Sequence, residues 1–274
     1  MSKLFHANFS RLKKSKVFWC SIIIMVLYSI MVYNSNHIEM VEFGVPILVD
    51  DFLFDSLLII GVVMSVVCSL FVGTEYSDGT IRNKIVTGQS RNSIFFSHFF
   101  VCSVMSVICY TISVILICIA GIPTFGVVQM PLSSAVLLFM DGIFLCIAYA
   151  SIYNLIAMLS SNKAHTAIIS VLLSFVLFFF AVYLYDCLGQ PEMIEQVQLV
   201  DGNMVMEQVQ NPHYLTGLHR KLYQFLMDFI PSGQAAQIAE GVAVRPYFML
   251  ICSVMIIVIT NVVGMIFFDR KDIK

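Results

Sequence analysis

The chain has 274 residues, 59% of them hydrophobic and only 12% charged, with a net charge of −2 and a mean hydropathy of +0.90. That balance excludes an ordinary soluble domain and gives no basis for nucleic-acid binding. It is the composition of an integral membrane protein.

A helix crossing the roughly 30 Å of hydrocarbon needs about 20 mostly apolar residues. Six stretches meet this, so the expected fold is an all-α membrane protein with six transmembrane helices in a single domain, 1–274. Residues 1–16 come first. Leu4, Phe5, Phe9 and Leu12 recur at helical spacing opposite Arg11, Lys13 and Lys14. This predicts an N-terminal amphipathic interfacial helix with its cations at anionic headgroups, or no more than a basic anchor.

Span one is read as Val17 to Tyr33; the following Asn34-Ser35-Asn36-His37 lacks a cleavage signature, so the span is retained. The acidic loop Asn34 to Asp51, with Gly44 and Pro46, is expected to hold little regular structure. Span two, Phe52 to Val72, carries Gly61, Ser65, Ser69 and, just past it, Gly73 at every fourth position. Such a ridge lets another helix approach closely, from this chain or from a second subunit.

Between spans two and three lies GTEYSDGTIRNKIVTGQSRNS, Gly73 to Ser93. Ser77 or Asp78 is the expected cap, Thr80 to Thr87 about two helical turns, Gly88 the stop, and Ser90 the cap of span three. Ile81 and Ile85 share a face, with Arg82, Asn83 and Lys84 offering polar contacts. The hairpin brings Glu75 and Arg91 to one depth, where they are expected to pair.

Span three runs Ile94 to Ala120, the punctuated connection Gly121 to Pro131 follows, and span four is Ser133 to Ser160. An ionisable group in the bilayer is a functional candidate by default. Asp141 faces either a substrate path or a hydrogen-bonding neighbour or wet cavity. Asn154, 13 positions on, is turned about 220° from it, so the two form no single polar line. Asn154 and Asn261 are read as interhelical hydrogen-bond partners, and His98 as a satisfied packing histidine.

Span five is Ala164 to Tyr185. In 186–245, EQVQLVDGNMVMEQVQ alternates about Asp201-Gly202-Asn203 and predicts a β-hairpin. Tyr214 to Ile230 reads as an amphipathic helix, Pro231-Ser232-Gly233 as its break, and Gln234 to Glu240 as another short helix. Together they predict a small extracytoplasmic cap between spans five and six. Span six, Tyr247 to Phe268, and a basic tail complete residues 246–274.

Twelve of the 15 Lys and Arg residues fall in the head, the second-to-third loop, the fourth-to-fifth loop and the tail. By the positive-inside rule both termini are cytoplasmic. The opposite side holds acidic residues with only Arg220, Lys221 and Arg245. Seven of eight cysteines lie in predicted spans, which leaves no disulfide framework. The chain has no phosphate loop of the type G-x-x-x-x-G-K-S/T, no H-E-x-x-H, no C-x-x-C and no G-x-S-x-G. No catalytic, cofactor-binding or metal-binding residue is therefore assigned.

Six spans, an amphipathic head, and E-Y-S-D-G-T-I-R-N-K followed by G-x-S-R at span three resemble a bacterial type-2 ABC transporter permease. Glu75, Gly79, Thr80, Arg82, Gly88 and Arg91 carry the likeness, and Phe-Ile-Pro-Ser-Gly before span six and Phe-Asp-Arg-Lys-Asp in the tail are also similar. The resemblance implies a coupling helix at 79–88 docking on a separate ABC ATPase that holds ATP and Mg. Glu75, Gly79, Thr80, Ile81, Arg82, Lys84, Ile85 and Arg91 would serve that coupling. Asp141, Asn154, Gly61, Ser65 and Ser69 are left as substrate-path or packing candidates. It further implies a second permease copy or a sibling permease, the bacterial plasma membrane, and export of a peptide or amphiphile such as an antimicrobial peptide. In that family the segment before span six folds as short helices dipping into the membrane, from which the hairpin departs. The rival classes are an ATP-independent channel or secondary transporter, an intramembrane enzyme, and a permease-like sensor or scaffold. Inverted repeats and interrupted helices, expected of secondary transporters, are not evident, and Asp141 and His98 are too sparse for an enzyme.

Overall fold

A computed structural model describes residues 2–160, 162–200 and 203–272. The chain order is α1 (Ser2–Lys14), α2 (Lys16–Phe43), α3 (Ser56–Ser77), α4 (Thr80–Val86), α5 (Arg91–Phe125), α6 (Leu132–Leu159) and α7 (Lys163–Gly189). A two-stranded hairpin follows, β1 (Met193–Val200) and β2 (Asn203–Gln210), then α8 (Gly217–Phe229), α9 (Pro231–Ala239) and α10 (Pro246–Arg270). Six helical segments are long and apolar enough to cross a membrane: α2, Val49–Ser77, α5, α6, α7 and α10.

Hydropathy located the spans but not their ends. Helix α2 continues ten residues beyond Tyr33, because Asn34 to His37 are polar without being helix breakers. The helix stops only at Gly44, whose φ of 65° ends it in the left-handed region. At 1.5 Å per residue its 28 residues reach about 42 Å, so its last turns project past the hydrocarbon thickness. Ahead of those turns α2 packs on α5: Tyr33 Oη lies 2.9 Å from Thr124 Oγ1, and the Tyr33 and His37 rings meet Phe125 edge-on. Likewise α5 runs through Gly121 to Phe125, where a loop was expected, with Pro123 in its final turn. The intervening loop is not formless. Val49 to Asp51 makes a 3₁₀ turn, Phe52 to Phe54 are buried, and Asp50 Oδ2 accepts from the backbone N–H groups of Gln129 and Met130 at 2.8 and 2.9 Å.

The small-residue ridge of α3 is spent inside this chain. A Cβ on Gly61 would stand 2.7 Å from the Tyr149 ring of α6, and one on Gly73 would stand 3.2 Å from the Lys163 backbone. Ser65 and Ser69 are buried between them, with the Ser69 hydroxyl directed at backbone carbonyls of Ser65 and Thr166. Close backbone approach is what such ridges permit where lipid offers no hydrophobic drive.

The expected hairpin forms in register, Met193 opposite Gln210 and Val200 opposite Asn203; the predicted turn at Asp201-Gly202 lies outside the described residues. The strands make this more than an all-α chain. Residues 231–233 do end α8, but Pro231 also opens α9 at its first position. Eight of the nine residues of α9 are buried, and Ser232 Oγ lies 2.9 Å from Tyr149 Oη of α6. Helix α9 therefore enters the bundle between α3, α6 and α7, while α8 rests against α7 and α10.

At the α8–α9 corner a Cβ on Gly233 would sit 2.3 Å from the Met227 carbonyl oxygen. Backbone cannot rotate away as a side chain can. Gly233→Ala is expected to cost about 1–3 kcal/mol, read as a lower unfolding temperature in detergent. Gly189→Ala, where no atom lies within 4 Å, is the control and leaves it unchanged.

Candidate functional site

Helix α4 is a two-turn element between the ends of α3 and α5. Its entry is not capped by Ser77 or Asp78, as the sequence suggested; Gly79, at φ 66°, occupies the cap position and turns the chain without a side-chain hydrogen bond. The Thr80 hydroxyl instead bonds back to the Glu75 carbonyl at 3.1 Å. Its exit is as expected: Gly88 has φ 85°, and the Gly88 and Gln89 N–H groups reach back to Ile85 and Lys84 carbonyls at 2.9 and 3.1 Å. Ser90 Oγ then caps α5 by accepting from Ser93 N–H.

The helix is mounted on a buried carboxylate. Glu75, with its side chain 4% exposed, sits among Arg11 of α1, Lys84 of α4 and His98 of α5. Lys84 Nζ donates to both carboxylate oxygens, at 2.8 and 2.7 Å, and to Asn8 Oδ1 at 3.1 Å. Asn8 in turn donates to Ser97 Oγ of α5 at 2.9 Å. Arg11 bonds Glu75, Thr74 and the Phe71 carbonyl, with its guanidinium 4.4 Å from the centre of the Phe71 ring. His98 Nε2 lies 2.9 Å from Glu75 Oε2, close but off the hydrogen-bond direction. Its Nδ1 has no partner among the described residues. Four elements thus converge on one acid.

Two expectations are corrected here. Glu75 does not pair with Arg91, which instead donates to carbonyls of Phe268, Asp269 and Lys271 where α10 ends. Those last carbonyls have no helical partners and carry the negative end of the helix dipole, so a cation is drawn to them. Arg11 does not share the free face of Lys13 and Lys14: Leu4, Asn8 and Leu12 are buried, and Phe5 and Phe9 meet Phe100 of α5 edge-on. The head is docked on the bundle through Leu4, Phe5, Phe9 and Leu12 together with Asn8 and Arg11.

Beside this node the chain end is locked in place. Lys271 Nζ donates to Tyr76 Oη at 3.1 Å and to the Met158 carbonyl at 3.0 Å, and stands 4.3 Å over the Tyr76 ring. Burial pushes its ammonium down from 10.5 to about 8. With Glu75 satisfied from within, the outward surface of α4 is Arg82, Asn83, Val86 and Thr87. Ile81 is buried, and Ile85 and Lys84 are partly so.

The intramembrane candidates lie apart from this. Asp141 is buried in α6 and neither carboxylate oxygen has a hydrogen-bond partner among the described residues. Asn154 is also buried, and its amide bonds to nothing described. Asn261 donates to the Ile257 carbonyl of its own helix at 2.8 Å. The expected interhelical bonds of the two asparagines are therefore not formed. An apolar groove of about 540 Å³ lies between α2, α3, α7 and α9, lined by Leu58, Val62, Phe175 and Phe178 among others, with Tyr28 and Glu240 also in its lining. Asp141, Asn154, Gly61, Ser65 and Ser69 are not among its lining residues.

A second polar node, missed in the sequence, ties the opposite end. Buried Asp228 of α8 is 2.5 Å from Arg245 Nη2 and accepts from Gln224 and Gln237 Nε2 at 3.0 Å each. Gln234 Nε2 donates to the Asp228 carbonyl at 2.7 Å, and Ser253 to Gln234 Oε1 at 2.7 Å. The available signal was an acid and two glutamines flanking Phe-Ile-Pro-Ser-Gly.

Removing one member of a buried ion pair strands the others, at about 3–5 kcal/mol. Glu75→Gln is expected to lose about that much stability, seen as a large fall in unfolding temperature in detergent; an unchanged value would show that the cluster holds nothing together. Lys271 is expected to react with amine-acylating reagents with a midpoint near pH 8, not near 10.5. Between those values the folded chain has shed a proton the unfolded chain keeps, so the Lys271 contribution to stability rises with pH there. Mass-spectrometric labelling across pH checks the midpoint.

The family described as ABC-2 family transporter protein matches residues 4–181 of the chain. No curated protein sequence matches it. The match begins in α1, contains α4 with its whole clamp as far as His98, and extends into α7; by that match, which spans most of its length, the chain belongs to the ABC-2 family of transporter proteins.

Proposed function

We propose that this chain, a multi-pass membrane permease of an ABC transporter by its family and its six apolar helices, is the membrane subunit of a bacterial exporter in which α4, within residues 79–88, is the helix that docks on a separate ATPase carrying ATP and Mg. The observation that carries this is the mounting of α4. A two-turn helix held by a buried carboxylate, two cationic side chains and a histidine presents Arg82, Asn83, Val86 and Thr87 outward, with no contact among the described residues to explain them. Val86 is 78% exposed, at the basic end where the positive-inside rule places the cytoplasm. In this reading both termini are cytoplasmic, α1 lies at the inner interface, and the hairpin with α8 and α9 forms the outer segment. Residues 1–274 act as one permease domain in the plasma membrane.

Glu75, Gly79, Thr80, Ile81, Lys84, Ile85 and Arg91 then support the docking surface, while Arg82 belongs to it. Two permease subunits, identical or siblings, bring together the apolar grooves on α3 and α7, and these form the path for a peptide or amphiphile such as an antimicrobial peptide. The groove supports an apolar cargo because its lining is mostly Leu, Ile, Val, Phe and Ala side chains.

The test is the double variant Arg82→Asp, Val86→Asp, expressed with its ATPase. Co-purification of the ATPase is expected to fall at least tenfold, with the permease's own unfolding temperature unchanged, since neither side chain is buried. Normal assembly and normal transport by the double variant would sink the assignment.

A further inference from the structure

Only three of the chain's cations lie outside the head, the two basic loops and the tail: Arg220, Lys221 and Arg245. All three line one groove. It measures about 610 Å³ and is completed by Gly217, Gln224 and Val244. In a half of the molecule otherwise rich in Asp and Glu, mutual repulsion would be expected to spread such cations apart; their convergence needs a counter-charge. Asp228 supplies one, to Arg245 alone, and Arg245 remains 46% exposed. Lys221 makes no ion pair among the described residues. The Arg220 guanidinium lies 5.1 Å from the centre of the Tyr214 ring, and its shielded Nη1 donates to nothing described. Three cations against one buried carboxylate leave an excess of two positive charges facing the groove.

The same helix says what kind of anion fits. Along α8, Leu218, Leu222 and Phe225 recur at i, i+4 and i+7 and are 80%, 50% and 44% exposed. Around the helix the groove residues Gly217, Arg220, Lys221 and Gln224 centre roughly 120° from that stripe, Lys221 nearest to it and Arg220 furthest. A third face, with Met227, is fixed against Leu184 of α7, so the stripe cannot turn inward. Helix α8 thus lies at the boundary end of two membrane spans with an apolar stripe and a basic face side by side. A soluble anion would use the basic face and leave the stripe in water. A molecule with an anionic head and apolar tails uses both.

We propose that the α8 groove binds the phosphate of an anionic phospholipid through Arg220, Lys221 and Arg245, with the acyl chains along Leu218, Leu222 and Phe225. The site is independent of the docking role given to α4. The full chain is to be purified from vesicles of equal parts phosphatidylglycerol and phosphatidylcholine, and retained lipid counted by native mass spectrometry. Wild type is expected to retain phosphatidylglycerol selectively. In Arg220→Gln, Lys221→Gln its apparent affinity drops roughly tenfold to thirtyfold, while the charge-preserving Arg220→Lys, Lys221→Arg retains it. Three results overturn the proposal: equal retention of both lipids by wild type, unchanged phosphatidylglycerol binding by the neutral double variant, or millimolar glycerol phosphate displacing the lipid. The last would mark a site for soluble anions. If the neutral variant does not fold, the wild-type lipid ratio and Arg220→Gln alone decide between the same outcomes.

Discussion

A carboxylate removed from water in an apolar bundle is tolerable only when its charge is met at close range, and Glu75 is met from three directions. That requirement organises the whole basic end. It pulls Arg11, and with it α1, onto the end of α3. It turns Lys84 inward, which fixes the rotation of α4 and leaves Arg82 and Val86 facing out. It also brings α5 in through His98 and, through Asn8, Ser97. A single exposed pair would add at most about 1 kcal/mol. A shared, buried acid differs because each partner is the alternative to a stranded charge.

The far end is built on the same rule with different chemistry. Asp228 is neutralised by Arg245 and hydrogen-bonded by two glutamine amides, which joins α8 and α9 to the residue just before α10. Between the two nodes close packing carries more of the contact, with Gly61 under Tyr149, and single neutral hydrogen bonds such as Ser69 to the Thr166 carbonyl and Thr260 to Ser151 stand beside it. Ionic contacts thus fix the ends of the bundle, and close packing with a few neutral hydrogen bonds fixes its middle. This division suits lipid surroundings, where burial of apolar surface discriminates poorly between arrangements but an unmet polar group is costly.

What was legible in the sequence follows the same division. The six spans, the hairpin, the two-turn α4 and its Gly88 stop are local patterns, and each formed at its expected place apart from the far ends of α2 and α5. The ends of α2 and α5 were misjudged because hydropathy reports the solvent a segment can tolerate. A helix ends where its backbone is broken, here at Gly44 and Gly126. The partners of Glu75 were not legible. Arg91 is nearer in sequence and was chosen on hairpin geometry, whereas Arg11 lies 64 residues away and reaches Glu75 only after α1 docks on α5. Asp228 escaped notice for a related reason: Gln224, four residues earlier in α8, is only one of its partners, and Gln237 of α9 and the charge of Arg245 lie outside the helix, where no periodicity within α8 can announce them.

The clamp has a mechanical consequence for the reading of α4 as a docking helix. A seven-residue helix on a flexible loop would absorb any force applied to it by moving alone. Here α4 is joined to α3 through Glu75, and α3 is joined through Tyr76 to the Met158 carbonyl and the Lys271 side chain at the ends of α6 and α10. Arg91 ties the start of α5 to that same end of α10. Displacement of α4 must then carry these helix ends with it or break buried ionic contacts, and carrying them is the less costly course. From there α3 leads to the other end as a continuous helix, packed through Gly61 on α6 and reaching α9. On the reading of α4 as a docking helix, a partner's push would travel along a rigid rod with ionic joints at its driven end.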